Sequence, residues 1–152
     1  MRRARVAAPA VLAALIVIAV IAASHAMAGP DRASSLPLGP GEVTVTLTIQ
    51  HSHFSPDHLS VRPGTTVRFV VHNDDPIGHE LIVGDAEVHR RHEAGMEPVH
   101  PPRPGETSVA AGTTAETSFR FDETGGDAVV YACHLPGHFR YGMSGQVDIV
   151  GA

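Results

Sequence analysis

Three side chains that bind soft metal ions lie close together near the C-terminal end of the sequence. The only cysteine of the chain, Cys133, is followed by His138 and then by Met143, with four residues in each gap. A thiolate, an imidazole and a thioether at this spacing are able to share one metal ion within a single loop. A lone cysteine also cannot form an internal disulfide. The spacing therefore predicts a metal site built around Cys133.

The ligand types favour copper over zinc. Two histidines and one cysteine with a weak axial methionine are the ligands of blue (type 1) copper sites, and a thioether is a poor ligand for Zn²⁺. The second histidine has to come from another part of the chain, and we predict His79, in the segment Gly78-His79-Glu80. The alternative is an inert buried cysteine, which leaves the neighbouring His138 and Met143 unexplained.

The N-terminal residues carry the features of an export signal. Arginines at positions 2, 3 and 5 precede an apolar run from Val6 to Ala23, and Ala26-Met27-Ala28 provides a small-x-small cleavage site. This order predicts a signal peptide over residues 1–28. The apolar run of 18 residues also reaches the lower limit for a membrane span, so an uncleaved anchor is the alternative. We expect a periplasmic or extracellular protein, held at the cell surface if the segment stays attached.

Cleavage after residue 28 would leave an acidic domain. It removes three of the eleven arginines, so eight basic side chains face sixteen acidic ones and the formal net charge becomes −8. This balance argues against nucleic acid or an anionic membrane as a partner. The remaining 124 residues are enough for one domain with a buried core. We expect that domain to be a monomer.

The hydrophobic pattern predicts an all-β domain over residues 43–150. Residues 29–42 are rich in turn-forming residues and predict a flexible linker. From Val43 to Gln50 apolar and polar residues alternate strictly, as in a half-buried strand. Similar short segments follow at 59–61, 67–71, 79–83, 107–110, 114–121, 128–134 and 144–150. Seven or eight such strands indicate an antiparallel sandwich or barrel, and residues 85–96 predict a short helix.

The sequence resembles the cupredoxins, the family that includes plastocyanin and azurin. The start of the loop, Cys-x-x-Pro-Gly-His over residues 133–138, is similar to that of azurin. The step from His138 to Met143 is closer to that of auracyanin-like members. The resemblance covers about residues 43–150 and implies a Greek-key β-sandwich with type 1 copper. Carried over by position, it implies the ligands His79, Cys133, His138 and Met143. It also implies that a redox protein docks on an apolar patch around His138.

A second resemblance is to small exported cupredoxins of copper tolerance. Their ligand strand reads His-Glu-x-x-x-Gly, as in His79–Gly84, and a segment with His-x3-Met follows, as in His92–Met96. Beyond the predicted signal peptide the chain holds ten histidines, more than one copper ion needs. If residues 85–96 are helical, one face of the helix carries several of them. A second copper site is therefore an alternative to a single one, and its candidate ligands are His89, His92, Met96 and His100.

Three functions follow from this ligand set. The first is a non-enzymatic electron carrier, which needs a single tuned copper site. The second is a protein that sequesters copper outside the cytoplasm or provides copper tolerance, and the surplus histidines and methionines favour it. The third is an enzyme, as a fragment of a multicopper oxidase or a nitrite reductase. A trinuclear copper cluster draws its histidines from several domains, which one domain of this length does not supply. We therefore predict that the protein is not an enzyme.

Overall fold

The computed structural model describes residues 36–95, 102–122 and 128–151. These ranges contain one α-helix and nine strands. The strands are β1 (Gly41–Gln50), β2 (His53–Ser55), β3 (His58–Val61), β4 (Thr65–Asn73), β5 (His79–Gly84), β6 (Glu106–Val109), β7 (Thr114–Phe121), β8 (Val129–Ala132) and β9 (Ser144–Ile149). Helix α1 (Ala86–Glu93) connects β5 to β6. The predicted signal peptide (1–28), residues 29–35 of the predicted linker, Met96 and His100 lie outside the described residues.

The strands form two sheets around one hydrophobic core. One sheet has the order β2-β1-β4-β7 and the other has the order β3-β9-β8-β5-β6. The predicted all-β sandwich with a short helical insert is confirmed. The sheets are mixed and not antiparallel throughout, because β1 pairs with β4 and β3 pairs with β9 in parallel. The chain crosses to the other sheet at β3 before it returns at β4, so β4 comes back beside β1 in the same direction.

Strict alternation of side chains fills this core. Along β4 the residues Val67, Phe69 and Val71 are fully buried, and the residues between them are half-buried. In β1 the same alternation buries Leu47 and Ile49. Side chains with a period of two reach the core from one face of each sheet, so the pattern in the sequence translates directly into the packing of the sandwich.

The ordered domain starts earlier than residue 43. Strand β1 begins at Gly41, and Leu38 forms an isolated bridge with Val61 at the end of β3. The backbone of Leu38 donates a hydrogen bond to Ser60 and accepts one from Arg62, each at 2.9 Å. The last residues of the predicted linker are thus part of the sandwich. No helix in the described ranges has the length and apolar character needed to cross a membrane.

Antiparallel pairing brings three strand ends to one edge of the second sheet. Strand β8 pairs antiparallel with both β5 and β9. The start of β5, the end of β8 and the start of β9 therefore lie at the same edge. His79 is the first residue of β5, Cys133 directly follows β8, and Met143 directly precedes β9. This edge is where the predicted metal ligands meet.

Tyr131 of β8 lies at the centre of the core. Its ring packs edge-to-face against Phe54 with the centroids 5.5 Å apart, and its hydroxyl donates a hydrogen bond of 2.7 Å to the carbonyl of Pro56. Phe54 belongs to β2, a strand of three residues that the sequence pattern did not reveal. Tyr131 pairs with Gly145 of β9, and a Cβ atom built on Gly145 would overlap the Tyr131 ring. Only a residue without a side chain fits at this position.

We expect Gly145→Ala to lower the free energy of unfolding by about 1–3 kcal/mol, because the buried ring has no space to move away from the added methyl group. Equilibrium urea unfolding of the metal-free protein measures this change. Gly78→Ala is the matched control, since a Cβ atom there meets nothing closer than the Val109 carbonyl at 3.8 Å. Equal stability of the two variants would contradict the packing described for Tyr131.

Candidate metal centre

Three metal-ligating atoms converge at this sheet edge. One atom each from His79, Cys133 and His138 lies within 4.8 Å of the other two. The sulfur of Cys133 is 3.3 Å from Nδ1 of His138 and 4.0 Å from Nδ1 of His79. No other group of three His, Cys, Asp or Glu side chains in the described ranges meets this distance. Two imidazoles and a thiol in this arrangement can hold one soft metal ion in either of two oxidation states.

The thiol of Cys133 is fully buried. Burial raises the pKa of this thiol, and the backbone N–H groups of Glu80 and Leu135 oppose the rise by donating to the sulfur. The Glu80 N–H lies 3.4 Å from the sulfur. A metal ion that binds here has to displace the thiol proton, and these two N–H groups then stabilise the negative charge on the sulfur.

His79 is also buried, and a carboxylate fixes its ring. Its Nε2 lies 3.0 Å from Oδ2 of Asp75, and the two side chains are 0% and 8% exposed. Because an ionised carboxylate only accepts hydrogen bonds, Nε2 carries the proton and Nδ1 presents its lone pair to Cys133. Burial lowers the pKa of His79, and Asp75 opposes that change. Burial alone would raise the pKa of Asp75, but hydrogen bonds from Ser52, His51 and His79 hold it below its usual value.

The loop that carries His138 is tied together by its own backbone. The N–H of His138 donates to the Leu135 carbonyl, and the N–H of Met143 donates to the His138 carbonyl, both at 3.0 Å. The N–H of Cys133 in turn donates to the Met143 carbonyl at 3.2 Å. Met143 is buried, with 1% of its surface exposed, at the base of this loop. Its role as the axial ligand stays a prediction.

A second cluster of imidazoles includes His134, the residue that follows Cys133. We call His89, His92 and His134 the histidine cluster. Nδ1 of His89 is 2.8 Å from Nε2 of His134, and the rings of His92 and His134 stack with centroids 5.5 Å apart. Nε2 of His92 lies 3.3 Å from Oε1 of Glu106, with both side chains nearly buried. Histidines in a helical insert are usually exposed to solvent. The spacing of His89 and His92 in the sequence does not predict that their side chains are buried.

Hydrogen bonding fixes the protons of His89 and His134. Nε2 of His89 faces the carbonyls of Gly84 and Val130 at 3.2 and 3.1 Å, so it is the donor and Nδ1 is the acceptor. His134 therefore donates from Nε2, and its Nδ1 is left with a lone pair, buried and without a hydrogen-bond partner among the described residues. Burial, together with the nearby His89 and His92, lowers the pKa of His134 to about 4. Burial also lowers the pKa of His89. His89 and His134 are therefore neutral at physiological pH, as metal binding requires.

The structure brings together His79, Cys133 and His138, and it places Met143 in the same loop. His134 points away from this group, as the strand alternation predicts, and it contacts helix α1 instead. Sequence reasoning missed Asp75. Its position four residues before His79 is the only local signal of its contact with that ring, and its contacts with His51 and Ser52 leave no local signal.

Known proteins that are similar in sequence to this chain are described as copper proteins. A family described as "Copper binding proteins, plastocyanin/azurin family" matches residues 41–150. The copper-resistant cuproprotein CopI of Rubrivivax gelatinosus is 36% identical over 99 residues, which span 63% of this chain and 59% of that protein. The protein of the same name from Pseudomonas aeruginosa is 27% identical over 173 aligned positions, which cover 90% of this chain and 94% of the relative.

Solved structures support the same fold. The dithionite-reduced auracyanin of the photosynthetic bacterium Roseiflexus castenholzii superposes with a TM-score of 0.59 at 17% identity. The match covers 70% of this chain and 96% of the auracyanin. At that identity the likeness concerns the fold alone, whereas the family match spans most of the chain. The chain is therefore a cupredoxin, a member of the plastocyanin/azurin family of copper-binding proteins, and copper is the metal that it takes.

Proposed function

We propose that this protein is an exported type 1 copper protein that transfers single electrons. His79, Cys133 and His138 hold one copper ion, with Met143 as a weak axial ligand. The observation that carries this proposal is the approach of one sulfur and two imidazole nitrogens to within 4.8 Å of one another at a sheet edge. Bound copper supplies one-electron exchange between Cu(I) and Cu(II).

The protein residues supply a binding site with little freedom to rearrange. Asp75 orients His79, the Glu80 N–H supports the Cys133 sulfur, and backbone hydrogen bonds close the loop that carries His138. Because these groups are fixed by the fold, the ligands stay nearly in place in both oxidation states. This role requires no catalytic turnover, so the protein acts as a carrier rather than an enzyme.

We expect the protein loaded with Cu(II) to show a strong visible thiolate-to-copper absorption band, which Cys133→Ser abolishes. The thiolate is the electron donor for that transition, and a serine hydroxyl cannot replace it. His134→Gln is the matched control, since this residue follows Cys133 but its ring lies on the other side of the chain. A colourless wild-type protein after copper loading would refute the proposed centre.

We also propose that a redox protein docks on the surface around His138. Apolar side chains of the ligand loop support this proposal: Leu135 and Phe139 are half-buried, and Pro136 and Tyr141 are exposed. Tyr141 is 88% exposed, which is unusual for a large aromatic side chain. Apolar patches of this kind mark docking surfaces.

We expect Pro136→Glu to slow electron self-exchange about tenfold at low salt, because two copies of the patch would then meet with like charges. NMR line broadening in mixtures of Cu(I) and Cu(II) protein measures the self-exchange rate. Leu36→Glu is the control, since Leu36 is an exposed apolar residue outside the loop, with 81% of its surface accessible. Equal rates for the two variants would show that the patch is not the docking surface.

A second candidate function is copper tolerance through storage of more than one ion. The histidine cluster favours it, because Nδ1 of His89 lies 2.8 Å from Nε2 of His134 and the ring of His92 stacks on that of His134. Relatives that carry the name copper-resistant cuproprotein also favour it. Copper would have to replace the hydrogen bond between His89 and His134. The predicted ligands Met96 and His100 belong to the same insert.

Copper titration separates the two candidates. An electron carrier binds one tight copper ion per chain, and a storage protein binds two or more. If the cluster binds copper, His89→Gln combined with His134→Gln removes one ion per chain and leaves the thiolate-to-copper band intact. His72→Gln is the control, since its ring contacts Thr114 on the other sheet. One ion per wild-type chain, measured by elemental analysis after dialysis, would rule out the storage role.

A further inference from the structure

We propose that Asp75 is a positioning residue for the copper centre. Its carboxylate fixes the ring of His79 and holds a negative charge behind that ligand, which favours Cu(II) over Cu(I). The proposal rests on the proposed function, because it takes His79 as a copper ligand. It concerns a residue that does not itself belong to the ligand set.

The Asp75 carboxylate is held from three sides. Oδ1 accepts the backbone N–H of His51 at 2.6 Å, and Oδ2 accepts the backbone N–H of Ser52 at 2.7 Å. Oδ2 also accepts Nε2–H of His79 at 3.0 Å. Both oxygens are therefore occupied, and rotation of the carboxylate would break at least one of these hydrogen bonds. A buried carboxylate that accepts three hydrogen bonds over both of its oxygens is a rigid support for the imidazole.

The turn that supplies two of these donors has an unusual backbone. His51 and Ser52 have φ values of 53° and 56°, and they connect β1 to β2 where Gln50 pairs with His53. Two positive φ values in a two-residue hairpin define a type I′ turn, which favours Asn-Gly or Asp-Gly. Histidine and serine carry a steric penalty in this conformation. The Asp75 carboxylate compensates for it by accepting both N–H groups of the turn.

Asp75 is also anchored to the second sheet. Its own N–H donates to Oδ1 of Asn73 at 3.0 Å, and Nδ2 of Asn73 lies 3.1 Å from the carbonyls of Val109 and Ala110. Val109 is the residue of β6 that pairs with His79. The carboxylate thus connects the hairpin turn of one sheet to the strand that carries the histidine in the other. A strained turn supported in this way is typical of a functional site.

The charge of Asp75 acts on the metal through the imidazole ring. A carboxylate that accepts the outer N–H of a metal-bound histidine makes the ring a stronger donor. The more highly charged ion gains most from a stronger donor and from a nearby anion in a poorly screened interior. Asp75 therefore stabilises Cu(II) relative to Cu(I) and lowers the reduction potential of the centre.

The variant Asp75→Asn tests this effect. Asparagine is neutral and offers one acceptor oxygen where the structure has three donors. We expect the affinity for Cu(II) relative to Cu(I) to fall about tenfold, which raises the one-electron potential by about 59 mV. Asp74→Asn is the matched control, because it removes the same charge from an exposed neighbouring residue whose carboxylate has no contact with His79. Equal potentials for the two variants would overturn the proposal.

A third variant separates the electronic effect from a loss of structure. Combining D75N with H51N and S52G gives the hairpin the residues that a type I′ turn prefers. We expect this combination to recover the unfolding midpoint lost in D75N while the raised potential remains. Recovery of both properties would mean that Asp75 serves only the turn, and the proposal would fail.

A measurement on the metal-free wild-type protein does not depend on the folding of any variant. The proposal requires the tautomer of His79 with the proton on Nε2, which ¹⁵N NMR of the imidazole detects. A proton on Nδ1 would overturn the proposal. Lack of the thiolate-to-copper band in wild type would defeat the proposed function itself. A normal band with equal potentials for D75N and D74N would defeat only the role of Asp75.

Discussion

The antiparallel pairing of β8 with both β5 and β9 is the constraint on which the metal centre depends. It brings His79 and Cys133, which are 54 positions apart in sequence, to within 4.0 Å between Nδ1 and Sγ. No local feature of the chain could create that contact. The strands are in turn fixed by alternating side chains such as Val67, Phe69 and Val71, which are fully buried. A slip of one residue in β8 would turn Cys133 away from His79, so core packing and metal binding select the same register.

Polar groups within the sandwich carry a free-energy penalty unless each has a partner. The protein meets this requirement by linking them in a chain: Asn73 holds the backbone of Asp75, Asp75 holds His79, and His79 faces Cys133. Of these four residues, only His79 and Cys133 offer lone pairs to a metal ion. The same hydrogen bonds that satisfy buried groups therefore also decide which nitrogen of His79 is available for coordination.

The sequence reveals those parts of the centre that depend on short spacings. Cys133, His138 and Met143 lie within one loop, and His79 begins a strand whose alternation is clear. The sandwich and the meeting of His79, Cys133 and His138 could therefore be predicted, while coordination by Met143 stays a prediction. Strand β2 could not, because three residues are too few to show alternation. Asp75 escaped for a different reason: its partners at positions 51 and 52 are 24 and 23 residues away and are oriented only by the pairing of β1 with β2. The loop from Cys133 to Met143 is therefore visible in the local sequence, whereas the contacts of Asp75 with the hairpin turn depend on strand pairing.

Alternation along the chain also explains how the residues that follow β8 contribute to two separate clusters of side chains. Neighbouring residues of an extended chain point to opposite sides, so Cys133 faces His79 and His138 while His134 faces helix α1. The two clusters are therefore joined by a single peptide bond yet share no side chain. An electron carrier needs only the first cluster, and a copper-storage protein gains from both. Nδ1 of His134 is buried without a hydrogen bond, which lowers the folding free energy that the protein gains. The packing of the sandwich does not require this unpaired atom. That loss of folding free energy is a physical reason to expect the second cluster to bind a ligand.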